Sequence, residues 1–582
     1  MFKILINHLG YSVNDTKKVV IQSDIKDIQI NSFKVLDENN GEVYSGNLQY
    51  SGRVASWHTG YYLVGRFDDL KIEGKYRINV GGVLSAEFEI SSHLTTMRLL
   101  NATTYYFKAQ RDSGEWAYDD KALPFEGERE GLVDGHGAWY DATGDYGIHL
   151  SHLSHSTYYN PQQASFSAYA FFKVADILEE SGNESYTMLK RRLYDEGFWG
   201  LDFLMRMRAP SGSFFRSISR EAALDSVVGT RRIGFEYHGS SDQFCDKAAT
   251  ADDEIINDTN YETSMRSGGG TAIAALAIGA RHYYPARDYE QSDYILSAKA
   301  SYKYLRDNNE KYTNDGKWNL VDIYCALLAA TELYVTTNEY EYLRDCREYV
   351  SYLTDSAKVI LPGMRRLEFS SDLPYFSASD EGLPLIAMLQ YSQIEIDKER
   401  AESAKSVAFD IMRWKIHLNK GICNPFDYPV FEDYSEGKFN VKFFFPHKTT
   451  AAPWWQGDNA RIASISAAAK MVAQMTDDVV LAKDALTLSH DILDWILGQN
   501  PYDACMLEGY GRNNIQYFFK NRYDFINCPG GIVNGITSGL EDENDIEFVV
   551  KPDDRIDDNW RWAEQWIPHA TWFLYAMALK RE

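Results

Sequence analysis

Two periodicities divide the chain near residue 92. Up to that point apolar residues come in short alternating runs broken by turn residues. Val19-Val20-Ile21 follows a lysine pair, and Phe33-Lys34-Val35-Leu36 leads through Asn40-Gly41 into Glu42-Val43-Tyr44, a hairpin signature. Tyr61-Tyr62-Leu63-Val64, Lys75 to Val80 and Ala86 to Ile90 continue the pattern. About seven such runs, with a turn signal about every ten residues, predict an antiparallel sandwich of immunoglobulin type over 1–92. No cluster of titratable groups falls in it, so it reads as a scaffold.

Beyond Ser91-Ser92 the period becomes helical. Phe166 to Phe172 runs into Val174 to Leu178 with apolar residues at i, i+3 and i+4. The same texture returns at Gly200 to Met207, Thr271 to Ile278, Val321 to Tyr334, Leu385 to Leu389, Ile462 to Met475, Ala482 to Leu497 and Trp572 to Met577. About a dozen helices over 93–582, packed as antiparallel pairs, can close into a toroid. Loops at one end of such a ring form a cleft, where chemistry belongs. The fold class is therefore mainly α with a small β-sandwich in front.

Charge and composition narrow the function. Acidic side chains number 84 against 59 basic ones, for a net charge of −25. Coating DNA or RNA needs a basic face, so a nucleic-acid partner is not expected. The opening Met1 to His8 lacks a secretory leader. No window approaches the roughly 20 uncharged apolar residues of a membrane span. The expectation is a cytoplasmic protein with no membrane partner. The six cysteines are scattered without metal-like spacing and read as reduced core thiols.

Candidate chemistry lies at two distant places. Trp139-Tyr140-Asp141-Ala142-Thr143-Gly144-Asp145-Tyr146-Gly147 sets two carboxylates four residues apart in a turn flanked by aromatic rings. Asn559-Trp560-Arg561-Trp562-Ala563-Glu564-Gln565-Trp566 sets one carboxylate among three tryptophans. Apolar surroundings disfavour the charged form and raise a carboxyl pKa, as a general acid requires. Glu564 is thus the better acid and the more hydrated aspartate turn the better base. The tryptophan cluster by itself fits equally a core seam with Glu564 bound to Arg561.

The aspartate segment resembles the signature of glycoside hydrolase family 9, inverting enzymes built on an (α/α)6 barrel. Other pieces are similar to that family in the same order. They are Asn7 to Tyr11 (N-x-x-G-Y), Phe198 to Leu204, Gly268-Gly269-Gly270, Asp322 to Ala326 with Ala330 to Tyr334, Trp455 to Asn459, Leu497 to Pro501 (L-G-x-N-P), and Gly509-Tyr510-Gly511. The resemblance implies Asp145 as catalytic base, Asp141 as the companion aspartate holding the water, and Glu564 as general acid. Trp139, Tyr140, Trp455, Tyr510 and Trp562 are the expected substrate-binding rings. Neither a metal nor an organic cofactor is implied.

The sequence departs from the family at two places. The usual aspartate turn is D-A-G-D, so Thr143 is an extra residue beside the scissile bond. After L-G-x-N-P the family's cellulases carry a proline- and histidine-rich stretch, whereas Arg512 to Lys520 holds no histidine. With no leader, these differences resemble the branch acting as exo-β-glucosaminidase on chitosan- or chitin-derived oligosaccharides, and the acidic chain suits a protonated amino sugar. The alternative is a β-1,4-glucanase or cellodextrinase. The expected partner is a short amino-sugar or glucan oligosaccharide. Two further readings stand beside these: a catalytically silent sugar-binding protein on the same barrel, and another helical toroid such as a sugar epimerase.

Remaining motifs read more plainly. His149, His152 and His155 lack a matching carboxylate for a metal site. Glu541 to Asp545 lacks the alternation and glycine of a calcium loop and reads as a solvated acidic loop. Trp454-Trp455 is either a sugar-stacking platform or core, and Tyr158-Tyr159-Asn160 either lines the cleft or bridges to the next helix.

Overall fold

A computed structural model of the chain describes all residues except 55, 93, 144–162, 221–230, 235–260, 314–315, 371–372, 436, 445–455, 519–525, 552–554 and 580–582. The first ten strands form the sandwich. One sheet has the order β1 (Phe2–Leu5), β3 (Lys18–Ser23), β7 (Tyr61–Arg66), β6 (Gln49–Gly52). The facing sheet runs β2 (Tyr11–Ser12), β10 (Phe88–Ser91), β8 (Gly74–Val80), β4 (Ser32–Leu36), β5 (Glu42–Asn47), with β9 (Val83–Leu84) on β8. Pairing is antiparallel except between β2 and β10. Alternation in β4 and β8 sends Phe33, Val35, Tyr76, Ile78 and Val80 inward to meet Val19, Ile21 and Leu63.

Among the described residues, twelve long helices make the barrel. They are α1 (Leu94–Gln110), α2 (Ala164–Glu180), α3 (Thr187–Arg206), α4 (Gly270–Gly279), α5 (Gln291–Asn308), α6 (Leu320–Thr337), α7 (Tyr340–Ser356), α8 (Leu383–Ile394), α9 (Lys398–Lys420), α10 (Asn459–Met475), α11 (Val479–Ile496) and α12 (Ile567–Ala578). The even-numbered helices from α2 to α12 pack in succession, and α12 returns to α2 to close the ring. Each takes an outer partner: α3 on α2, α5 on α4, α7 on α6, α9 on α8, α11 on α10, and α1 on α12. Every residue of α4 and α12 is buried, as helices apolar all round must be. This is the (α/α)6 architecture. Among the described residues α6 is the one helix long and apolar enough to cross a membrane, with 18 residues of mean hydropathy 1.4, yet it carries Asp322 and Glu332 and 78% of it is buried inside the protein. It is a core helix.

The sandwich docks on the barrel through the motifs that resemble the family. Asn7 Nδ2 donates to Asp494 Oδ1 on α11 (2.7 Å), and Gln499 Nε2 donates to the Lys18 carbonyl (2.6 Å). Gly10, at φ +90°, lies where a Cβ would meet the Glu89 carbonyl at 2.0 Å. The buried Lys18 ammonium sits 3.0 Å from Asp491, which also pairs with Arg66 at 2.9 Å.

Candidate active site

The two distant carboxylate segments meet. Ala142 and Trp566 form an antiparallel bridge. On either side of it, Thr143 N donates to the Gln565 carbonyl (3.1 Å) and Ile567 N to the Asp141 carbonyl (3.0 Å). The Gln565 amide completes the stitch. Its Oε1 accepts from Thr143 Oγ1 and from the Cys528 backbone N–H, both at 2.7 Å, and its Nε2 donates to the Cys528 carbonyl at 2.8 Å. The Tyr106 hydroxyl of α1 donates to the Gln565 carbonyl at 2.8 Å. The extra Thr143 is thereby absorbed into the contact between the turns.

Glu564 stands between the single helical turn Trp560–Ala563 and the start of α12, with extended backbone (φ −65°, ψ 139°). Its carbonyl accepts from Asn534 N at 2.7 Å, and Asn534 Nδ2 lies 3.4 Å from its Oε2. Burial raises its pKa from the ordinary 4.5 to about 8, with the charge of Asp141 adding to the shift. The carboxyl therefore carries its proton at neutral pH, although the side chain keeps partial access to solvent. Asp141 is only 6% exposed, and Trp566 Nε1 donates to its Oδ1 at 3.3 Å. The charge of Asp141 and the raised pKa of Glu564 thus bear on one another across the stitched turns. Asp145, the expected base, and Trp455 lie outside the described residues, as do His149, His152, His155, Tyr158, Tyr159 and Trp454.

Three of the expected sugar-binding rings belong instead to the core. Trp139 and Trp562 are 0% exposed and Tyr140 is 1%. Trp139 packs against Phe107 and Phe171 and donates to Glu196 Oε2 at 3.0 Å, and the Tyr140 hydroxyl donates to Asp112 Oδ1 at 3.1 Å. The rings of Trp139 and Tyr140, next to Asp141 in the chain, are thus turned into the interior with their polar atoms paired. Tyr510 keeps partial exposure, with the Arg98 guanidinium 5.3 Å above its ring. Arg512 is committed to Asp503, at 2.9 Å and 2.6 Å. Among the described residues no three His, Cys, Asp or Glu side chains gather as a metal-ligand set.

Sequence reading missed the roles of Asn534, Gln565 and His569, and took Trp566 only as part of the apolar surround of Glu564. A faint signal existed in the glycines near them. Gly457 lies where a Cβ would meet the Asn534 carbonyl at 2.1 Å, and Gly535, at φ +103°, is pressed against Asn459.

Residues 97–528 match the family described as glycosyl hydrolase family 9, and residues 2–85 match the cellulase N-terminal ig-like domain. No curated protein matches the chain in sequence. Among solved structures, a metagenome-derived glycoside hydrolase family 9 endoglucanase is similar at 16% identity and a TM-score of 0.63, covering 99% of this chain and 98% of its own. A family 9 protein of Bacteroides ovatus is similar at 17% identity and a TM-score of 0.64, with the same two coverages of 99% and 98%. AaCel9A, solved with a cellobiose-like isofagomine, is similar at 15% identity and a TM-score of 0.59, with 99% of each chain covered. At such identities the structures speak for the fold, while the match over most of the barrel speaks for descent: the chain belongs to glycosyl hydrolase family 9 and is a glycosidase.

Proposed function

We propose that the protein is an inverting β-1,4-glucanase acting on glucan oligosaccharides. The observation that carries the mechanism is the Ala142–Trp566 bridge, which stitches the aspartate turn to the Glu564 segment, where desolvation and the charge of Asp141 raise the Glu564 carboxyl pKa. Glu564 gives its proton to the glycosidic oxygen as the bond to the anomeric carbon breaks. Asp145, carried by its place in the family motif, takes a proton from water attacking the opposite face, and Asp141 helps hold that water. Two carboxyl groups about 6.5–9.5 Å apart leave room for the water and give inversion. The glucan substrate draws support from the match to a cellulase ig-like domain and from neighbours named as an endoglucanase and as a protein bound to a cellobiose-like inhibitor.

The exo-β-glucosaminidase reading stands second. The net charge of −25 and the histidine-free segment Arg512 to Lys520 favour it. Hydrolysis of cello-oligosaccharides set against chitosan oligosaccharides, with product anomers followed by proton NMR, tests both. Release of α-anomers from cello-oligosaccharides is the expected result. Turnover of glucosamine oligomers alone selects the second reading, and release of β-anomers overturns the inverting mechanism.

A further inference from the structure

Resting on the assignment of Glu564 as general acid, we infer that His569 and Asn534 form a positioning relay that aims the Glu564 carboxyl at the leaving oxygen. It runs across three elements. The Ala460 N–H, in the first turn of α10, donates to His569 Nδ1 at 2.7 Å. That ring nitrogen is thereby the acceptor, and the ring proton sits on Nε2, which donates to Asn534 Oδ1 at 2.7 Å. With its oxygen so engaged, the Asn534 amide has one orientation. Its Nδ2 faces the Trp560 carbonyl (2.8 Å) and Glu564 Oε2 (3.4 Å), while its backbone N–H holds the Glu564 carbonyl at 2.7 Å.

Both relay residues are buried, Asn534 at 0% and His569 at 1% exposure. Burial holds the imidazole down to about 3, so it stays neutral and the tautomer does not change over the working pH range. Among the described residues Asp141 from the aspartate turn and Asp558 from the segment before the helical turn act on Glu564 through their charge. The Tyr106 hydroxyl on α1 also senses its charge. Among the described residues the amide of Asn534 is what ties the carboxyl's direction to the scaffold. A carboxyl free to rotate still carries a proton but meets the glycosidic oxygen less often.

The test uses Asn534→Leu, His569→Leu and His569→Gln in the full chain, with Glu564→Gln as the reference. Each is assayed on an unactivated oligosaccharide that the wild type cleaves and on the matching 2,4-dinitrophenyl glycoside, whose leaving group needs no proton. Asn534→Leu and His569→Leu are expected to lose about tenfold or more in kcat on the unactivated substrate and less than about threefold on the activated one. The alkaline limb of kcat/KM moves to higher pH in Asn534→Leu, because a donor to the ionised carboxylate is gone. His569→Gln, whose amide can still accept from Ala460 and donate to Asn534, retains most activity. Equal losses on both substrates, or an unmoved alkaline limb, overturn the relay and leave these residues as packing. If Asn534→Leu does not fold, the contrast between His569→Leu and His569→Gln decides by the same ratio. Full activity of Glu564→Gln on the unactivated substrate overturns the acid assignment itself, an outcome separate from failure of the relay.

Discussion

Glu564 shows how one neighbourhood sets both reactivity and pH response. Water is displaced from the carboxyl by its burial, and Asp141 opposes a second negative charge, so the proton stays on until about pH 8. The rate is expected to fall above that pH as the acid ionises. A carboxyl whose folded pKa is raised favours the folded state most below its ordinary value, and this contribution is lost as pH climbs through the folded value. Glu564→Gln should therefore cost at least about 100-fold in kcat on unactivated substrates. The same variant should unfold at a higher temperature than the wild type above pH 8, which calorimetry can follow. Asp145→Asn should lose a similar factor in kcat, and wild-type rates would remove it as the base. The raised pKa of Glu564 was legible in the sequence because a lone carboxylate among Trp560, Trp562 and Trp566 implies an apolar pocket. Which rings touch sugar was not legible, since Trp139 and Trp562 as core anchors have the same local sequence texture as stacking platforms.

At the level of elements, Gln565 ties three segments to one another. Its side chain serves Thr143 on the aspartate turn and both backbone groups of Cys528, and its carbonyl receives Tyr106 from α1. Gln565→Leu keeps the volume but leaves the Cys528 N–H and carbonyl without this partner. An unsatisfied buried polar group costs about 1–3 kcal/mol, so a loss of about 3 kcal/mol is expected in denaturant unfolding, with reduced kcat because the turn bearing Asp141 is freed. Unchanged stability would show that the stitch is redundant. Inner helices such as α4 and α12 announced themselves as apolar runs. Outer helices such as α5 and α9 did not, because only a stripe of each faces inward and the rest carries charge. The meeting of residues 142 and 566 was expected only through family resemblance; no local pattern encodes a contact across so much chain.

On the scale of the whole molecule, the sandwich and barrel are joined by charge as well as by shape. Burial alone would raise Asp491, but Lys18 and Arg66 overcome it and hold that carboxyl down to about 2. Asp494 beside it is pushed well above the usual range, by burial and then by Asp491, and accepts from Asn7. Lys18 and Asp491 are 1% and 0% exposed, so neither can be rescued by water when its partner is removed. Lys18→Met is expected to lose about 1–3 kcal/mol, because Asp491 keeps Arg66 at 2.9 Å, while Lys18→Met with Asp491→Leu should recover part of that by replacing the Lys18–Asp491 pair with an apolar one. Arg66 keeps Asp427 at 3.7 Å in the double variant. Urea unfolding of wild type, both single variants and the double variant closes the cycle, and a double variant no more stable than Lys18→Met would show that the ions supply something that packing cannot. Since the network lies on Asp491 of α11 and the stitched turns hang on α1 and α12, kcat of the folded single variant should remain near wild type at low temperature. A parallel fall in kcat would mean that the sandwich sets the geometry of the cleft rather than merely the stability of the barrel.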